Sequence, residues 1–443
     1  MRVRLYKFWE QLTGSFWFVP TFMVIAAILL AALTLQIDHL DIKFATSEFP
    51  WIYSGSPDGA RAILSTIASS MISVAGLTFS ITMVTLSLAS SQLGPRLLNN
   101  FMRDFGNQIV LGTFISVFTY CLLVLRSIRS LDELSFVPHV SLTLAIGLAI
   151  ISLGVLIYFF HHVSMMIQAQ NLIAKVGDEM QSYIETLLKD DDYTPYEHQL
   201  RSEDDIPDNF EDASLVVNAK TSGFLQAVNY QGIIEICNEN DLLIKVVHRP
   251  GDFVVVGNPI MLVYLDADTL DDDISDQLHD TMTYGAVRLM LQDLEFSVDQ
   301  LVEIAVRALS PGINDPFTAI ACLDQFSLNL SQLAKEGLPS GYHYDDNTTL
   351  RIITDAVKFD GIVDAAFNQI RQYGKTDVAV ITRMLEVLTT IVSQSKSDAQ
   401  RRPLIRQATM IKNTSERVIK EENDLDDILR RYHNLMEIVD SSD

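Results

Sequence analysis

The chain has three cysteines in 443 residues: Cys121, Cys237 and Cys322. They fall in separate segments and none forms a CxxC pair, so no disulfide framework or zinc site is implied. A reducing compartment suits whatever part of the chain meets water. Also missing are GxSxG, a Walker phosphate loop, HExxH, and a GxGxxG opening a helix after a strand. The nine histidines are scattered. These absences argue against an enzyme, and no catalytic residue, cofactor site or metal site is expected. No cleavable signal is evident, because the first apolar run is long and lacks a small-residue cleavage site.

Charge is scarce in one part of the chain and one-sided in the other. Residues 1–175 hold ten Lys/Arg and eight Asp/Glu, and the remainder holds twenty-two against forty-eight. An acidic part of this kind does not seek nucleic acid. It repels anions and accumulates cations near its surface, although solubility alone also accounts for it.

Long apolar runs fill the near-neutral part. Four spans are expected, at about 16–37, 63–91, 109–125 and 140–163, making residues 1–170 a transmembrane domain. Arg2, Arg4 and Lys7 stand among Tyr6, Phe8 and Trp9, a mixture suited to a membrane interface. Six Lys/Arg on the near side against four in the far loops favour both termini inside. No span carries an Arg-repeat voltage sensor or the buried acid or base used in proton coupling.

The second span, from Ile63 to Ser91, has no charge but many hydroxyls. Thr66, Ser73, Ser80 and Ser87 recur every seven residues, Ser70 and Ser91 complete the stripe, and Gly76 lies beside it. At 3.6 residues per turn they share one face. Small and hydroxyl residues let membrane helices approach closely, so the stripe can be a packing seam. That is the commoner reading; the sharper one is the wall of a water-filled path. Gly94-Pro95 should then break the helix, and Leu97, Leu98, Phe101 and Phe105 should share the apolar face of a short interfacial helix. His161 and His162 end the fourth span; as neighbours they point apart and make a poor metal clamp.

Residues 171–212 read as a helical extension and an acidic linker. From 213 to 268 the period changes to short β-prone runs, and HRPGDFVVVGNPIMLVY resembles the closing hairpin of a small β-barrel or barrel-sandwich module, as in biotinyl and lipoyl carriers. No modified-lysine motif sits at a hairpin tip, since Lys245 lies mid-strand. From 269 to 443 an α-helical bundle is expected, with helices near 271–293, 297–309, 316–335, 356–373, 376–394, 399–419 and 422–438. Within it lies VRALSPGINDPFTAI. Ser310-Pro311-Gly312 stops one helix, and Asp315-Pro316 caps and starts the next. Arg307, Ser310, Asn314 and Asp315 can alternatively form a polar loop site, since buried loops need such groups to satisfy their backbone.

Two stretches, SLASSQLGPRLLNNFMRDFGNQIVLGTFISVFTYCLLVLR and DLEFSVDQLVEIAVRALSPGINDPFTAI, resemble the bacterial predicted-membrane-protein family called domain of unknown function 2254. The resemblance runs over nearly the whole chain. It implies an inner-membrane protein with four spans and a cytoplasmic C-terminal half, but no activity, because the family is defined by sequence. The fold expected is thus four transmembrane helices, a small β module and a helical bundle. Two functions follow from the residues. One is a homo-oligomeric, cation-favouring channel lined by the second span. The other is a non-conducting scaffold or sensor whose cytoplasmic helices bind a partner or small ligand.

Overall fold

A computed structural model describes residues 17–40, 56–93, 104–129, 136–166, 168–189, 205–265, 267, 269–289 and 292–441. The chain divides into two compact units, residues 1–169 and 170–443.

The first unit holds α1 (Phe18–His39), α2 (Pro57–Leu93), α3 (Phe105–Ser127) and α4 (His139–Met166). Each contains a stretch long and apolar enough to cross a membrane. The helix expected over Leu97–Phe105 lies mostly outside the described residues; Phe105 itself opens α3. Pro20 sits in the first turn of α1, where a missing N–H leaves no bond broken. α3 is the hub: half of its apolar window is buried, against 22% in each of the other three. It packs on all of them. Gly112 permits a close approach of α1 to α3, because a Cβ there would meet the Pro20 backbone at 3.2 Å. α2 turns Ala60, Leu64, Ala68, Met71 and Ala75 inward, a row of mostly small side chains that suits tight helix packing. Leu29 and Leu33 of α1 and Ile150 and Ile157 of α4 stay exposed, as faces meeting hydrocarbon do.

The second unit opens with α5 (Ala169–Lys189) and a short α6 (Phe210–Ala213). Strands follow: β1 (Leu215–Asn218), β2 (Gly223–Val228), β3 (Leu243–Val246), β4 (Phe253–Val254) and β5 (Pro259–Tyr264), with α7 (Tyr230–Asn240) between β2 and β3. Then come α8 (Asp272–Asp280), β6 (Met282–Gly285), α9 (Leu294–Ala308), α10 (Pro316–Glu336), β7 (Tyr342–Tyr344) and β8 (Leu350–Thr354). The chain closes with α11 (Phe359–Tyr373), α12 (Val378–Gln394), α13 (Asp398–Val418) and α14 (Glu422–Ser441).

The expected barrel is absent from the described residues. The strands form two open sheets, ordered β1-β5-β3-β8-β7 and β4-β2-β6. HRPGD does not close a hairpin: β3 pairs with β5 and β8, whereas β4 pairs with β2. The turn between them carries the chain from one sheet to the other. Gly251 makes that possible, with φ +104° and the Asp293 carboxylate where a Cβ would fall. Each sheet is completed from beyond residue 269, so 213–268 is not a self-contained module. The helix expected over 271–293 ends at Asp280, because residues 282–285 pair with β2 instead. β7 and β8 likewise interrupt the expected bundle. The other expected helices lie within a few residues of α9 to α14. α12 is their centre, packing against α10, α13 and α14 through buried Met384, Leu388 and Ile391.

Candidate functional site

Thr66, Ser70, Ser73, Ser80 and Ser87 all lie exposed on α2. Ser91 belongs to the same helix, but its side chain is outside the described ones. The stripe stands opposite the Ala60–Ala75 row, so it points away from α3 and is not sealed by helices of its own unit. The hydroxyls do not require water to be satisfied. Thr66 donates to the Ala62 carbonyl at 2.7 Å, Ser70 to Thr66 at 2.8 Å and Ser73 to Ser69 at 2.8 Å. Each oxygen keeps lone pairs for an outside donor or ion.

Both ends of the bundle carry polar clusters that local sequence reading missed. At one end the Asp38 carboxylate caps a different helix. It accepts from the amides of Val140 at 2.9 Å and Ser141 at 3.0 Å and from the Ser141 hydroxyl at 2.6 Å, supplying the free N–H groups of α4. Just inside, the Tyr120 hydroxyl lies 3.0 Å from the Thr34 hydroxyl and donates to the Ser141 carbonyl at 3.1 Å. At the opposite end Asp104 caps α3, accepting from the Asn107 amide at 2.9 Å, and its Oδ1 lies 2.7 Å from His162 Nε2. His162 stacks on Tyr158. Gly106 leaves room for this group, since a Cβ there would lie 2.7 Å from His162 Nε2 and 3.0 Å from the Tyr158 hydroxyl. The available signals were an Asp and a nearby Gly at the start of one span and a His at the end of another. Their separation by 58 residues hid the pairing.

In the second unit the expected polar loop is a helix-to-helix turn with residues 311–314 exposed. Asp315 caps α10 through the Thr318 amide at 3.2 Å and accepts the Thr318 hydroxyl at 2.6 Å. Asn314 adopts φ +52°, and the Ser310 carbonyl accepts from its amide at 2.9 Å. Arg307 turns back to Glu303 at 3.3 Å. The loop's groups serve its own backbone.

A different place in this unit is concave. A cavity of about 270 Å³ opens between α5, the β3–β4 turn, the start of α9 and the loops before β7 and after β8. Its wall includes Tyr183, Tyr230, Arg249, Glu295, His343 and Asp355. Arg249 pairs with Glu295 at 3.0 Å, and Tyr230 stacks on His343 with ring centres 5.0 Å apart. Burial pushes the Glu295 carboxyl up; Arg249 opposes this and nearby Asp293 reinforces it. Burial likewise pushes the Tyr230 hydroxyl up to about 12, so it stays a neutral donor at physiological pH. The arrangement offers aromatic faces beside one cation and one acid. No group of three or more His, Cys, Asp or Glu among the described residues could hold a metal ion.

Four helices long and apolar enough to cross a membrane, joined in sequence to a mixed α/β unit, define the architecture of a polytopic membrane protein. The chain belongs to the family of predicted membrane proteins DUF2254, whose model matches residues 13–390. It is also similar to an uncharacterized protein of Mycobacterium bovis and one of Mycobacterium tuberculosis. Each is 28% identical over 435 residues, covering 97% of this chain and 82% of the relative. No solved structure matches.

Proposed function

We propose that the protein is a non-enzymatic, homo-oligomeric ion channel of the bacterial inner membrane, with α2 turned toward a shared axis. The observation that carries this reading is the outward stripe on α2: five exposed hydroxyl residues in a charge-free span, facing away from their own subunit. Small hydroxyl residues interleaved with exposed Leu77 and Val84 let copies of this face approach closely, and a ring of such copies can line a water path. One subunit cannot enclose a path, so the reading requires a symmetric ring. Serine rings are weak dipoles, permissive to hydrated ions. On this reading the acidic second unit is cytoplasmic, as the Lys/Arg bias of the loops favours, and it raises local cation concentration and favours cation entry. The test is reconstitution in planar bilayers with Ser80→Leu. Cation currents whose unitary conductance falls in that variant support the reading. Silence across voltage, tension and divalent ions, or conductance indifferent to Ser80→Leu, defeats it.

The cavity beside Arg249 and Glu295 favours a second reading, a membrane-anchored sensor of a small ligand. Under it, the full-length protein passes no current but is thermally stabilised by a compound from a panel of amino acids and nucleosides. That stabilisation is lost in Arg249→Ala. A panel that leaves the wild-type transition unmoved counts against it.

A further inference from the structure

A groove of about 750 Å³ runs between α1 and α3 at the end of the bundle where both helices finish. Its floor is apolar: Ile28, Ala32 and Leu35 of α1 face Leu123 of α3. Spacings of three and four residues put Ile28, Ala32, Leu35 and His39 along one side of α1. From His39 to Ile28 that side extends ~16 Å at 1.5 Å per residue. This matches one leaflet of a hydrocarbon core about 30 Å thick.

The mouth is cationic. Arg126, in the last turn of α3, and Arg129, just beyond it, are both exposed and both line the groove. Arg126 is also favoured by its helix C-terminus, but Arg129 stands outside the helix and has no such reason. Arg129 is fixed instead by a backbone bridge to Phe136, whose ring stacks on His39 at 4.3 Å. Among the described residues no carboxylate pairs with either arginine. Asp38, in the last turn of α1, is engaged by the start of α4.

We infer that this groove binds a phospholipid with an anionic headgroup, its phosphate on Arg126 and Arg129 and one acyl chain along Ile28, Ala32, Leu35 and Leu123. The occupant is argued from two complementary features on one surface. A cationic rim continuous with an apolar trough one leaflet deep fits a molecule with a phosphate at one end and a hydrocarbon chain at the other. Guanidinium groups suit phosphate because they offer paired donors.

The test is native mass spectrometry of the full-length protein in mild detergent, with phosphatidylglycerol or phosphatidylcholine of identical chains. Phosphatidylglycerol should be retained on the order of 10-fold better. Arg126→Ala with Arg129→Ala should abolish the preference, and the paired lysine substitutions should keep most of it. Ala32→Phe, which fills the trough without touching charge, should weaken both lipids; it keeps the test open if the alanine pair misfolds. Equal retention of the two lipids overturns the assignment, as does a preference unchanged in the alanine pair or a retention of both lipids unchanged in Ala32→Phe. Displacement of bound phosphatidylglycerol by millimolar inorganic phosphate also overturns it, since the site would then hold a free anion.

Discussion

The two units satisfy their polar groups in different ways. In the membrane unit, hydroxyls within the spans turn back on their own helix: Thr113 donates to Ile109, Thr119 to Ile115 and Ser152 to Leu148, each at 2.8 Å. Most polar contacts between its helices gather at the ends, as with Asp38 and Ser141 or Asp104 and His162. In the second unit, serines and threonines also turn back, but charges reach across elements. Arg351 joins Asp241 at 2.8 Å to Asp345 at 2.9 Å, and Arg431 reaches Glu386 at 2.9 Å. The difference follows from the surroundings. A bilayer offers no water to an unpaired group, so a short self-contained bond is safest there. A unit that meets water can leave one edge of a charge network hydrated. Local bonds can be lost singly at little cost, whereas shared ones cannot.

The sharpest way to break this contrast is Asp293→Ala. The Asp293 side chain is 4% exposed, caps α9 through the Phe296 amide and holds Arg288 at 2.7 Å. Its loss leaves Arg288 with Asp299 as its remaining carboxylate and uncaps α9, and should cost about 2–4 kcal/mol. The cost should appear as an earlier unfolding transition of the second unit in the full-length protein. Asp38→Ala should come next, removing three bonds to a charged acceptor at about 2–3 kcal/mol. It should lower the denaturation midpoint of the membrane unit in detergent, measured by helical circular dichroism. An acid titration probes the networks without mutation. Burial raises the Asp345 carboxyl, but the Thr349 amide, the Arg351 guanidinium and the Asn347 amide outweigh it and hold the group below the usual range. Its stabilising effect is therefore complete above the unfolded value of about 4 and is lost as pH falls below that through the lower folded value. Asp345→Asn should be less stable at neutral pH and should flatten the acid limb; an unchanged limb would remove Asp345 from the account. The smallest effect belongs to Ser73→Ala, within about 0.5 kcal/mol, because only a bond to its own helix is lost. A large loss of assembled oligomer in that variant would instead make the stripe a packing seam.

Much of the architecture could be read from the chain. Crossing helices announce themselves by apolar length, and the seven-residue recurrence of Thr66, Ser73, Ser80 and Ser87 placed the hydroxyls on one face. The period could not say which way that face turns; the inward row of alanines on α2 decides it. The sheets were harder because strand partners are remote. β3 pairs in parallel with β8, more than a hundred residues on, and no local alternation carries that information. A stretch such as HRPGDFVVVG looks like a hairpin from its turn residues, yet those residues specify only a reversal. The cavity at Arg249 and Glu295 draws on six separate segments, none with a motif of its own.

The length of α2 has a mechanical consequence. Its 37 residues make a rod of ~55 Å at 1.5 Å per residue, against a hydrocarbon layer of about 30 Å. Such a rod either leans steeply or overhangs the layer by several turns. Stretching or thinning the surrounding lipid alters the lean or the overhang, so the helix that carries the outward hydroxyl stripe has a posture that responds to membrane thickness.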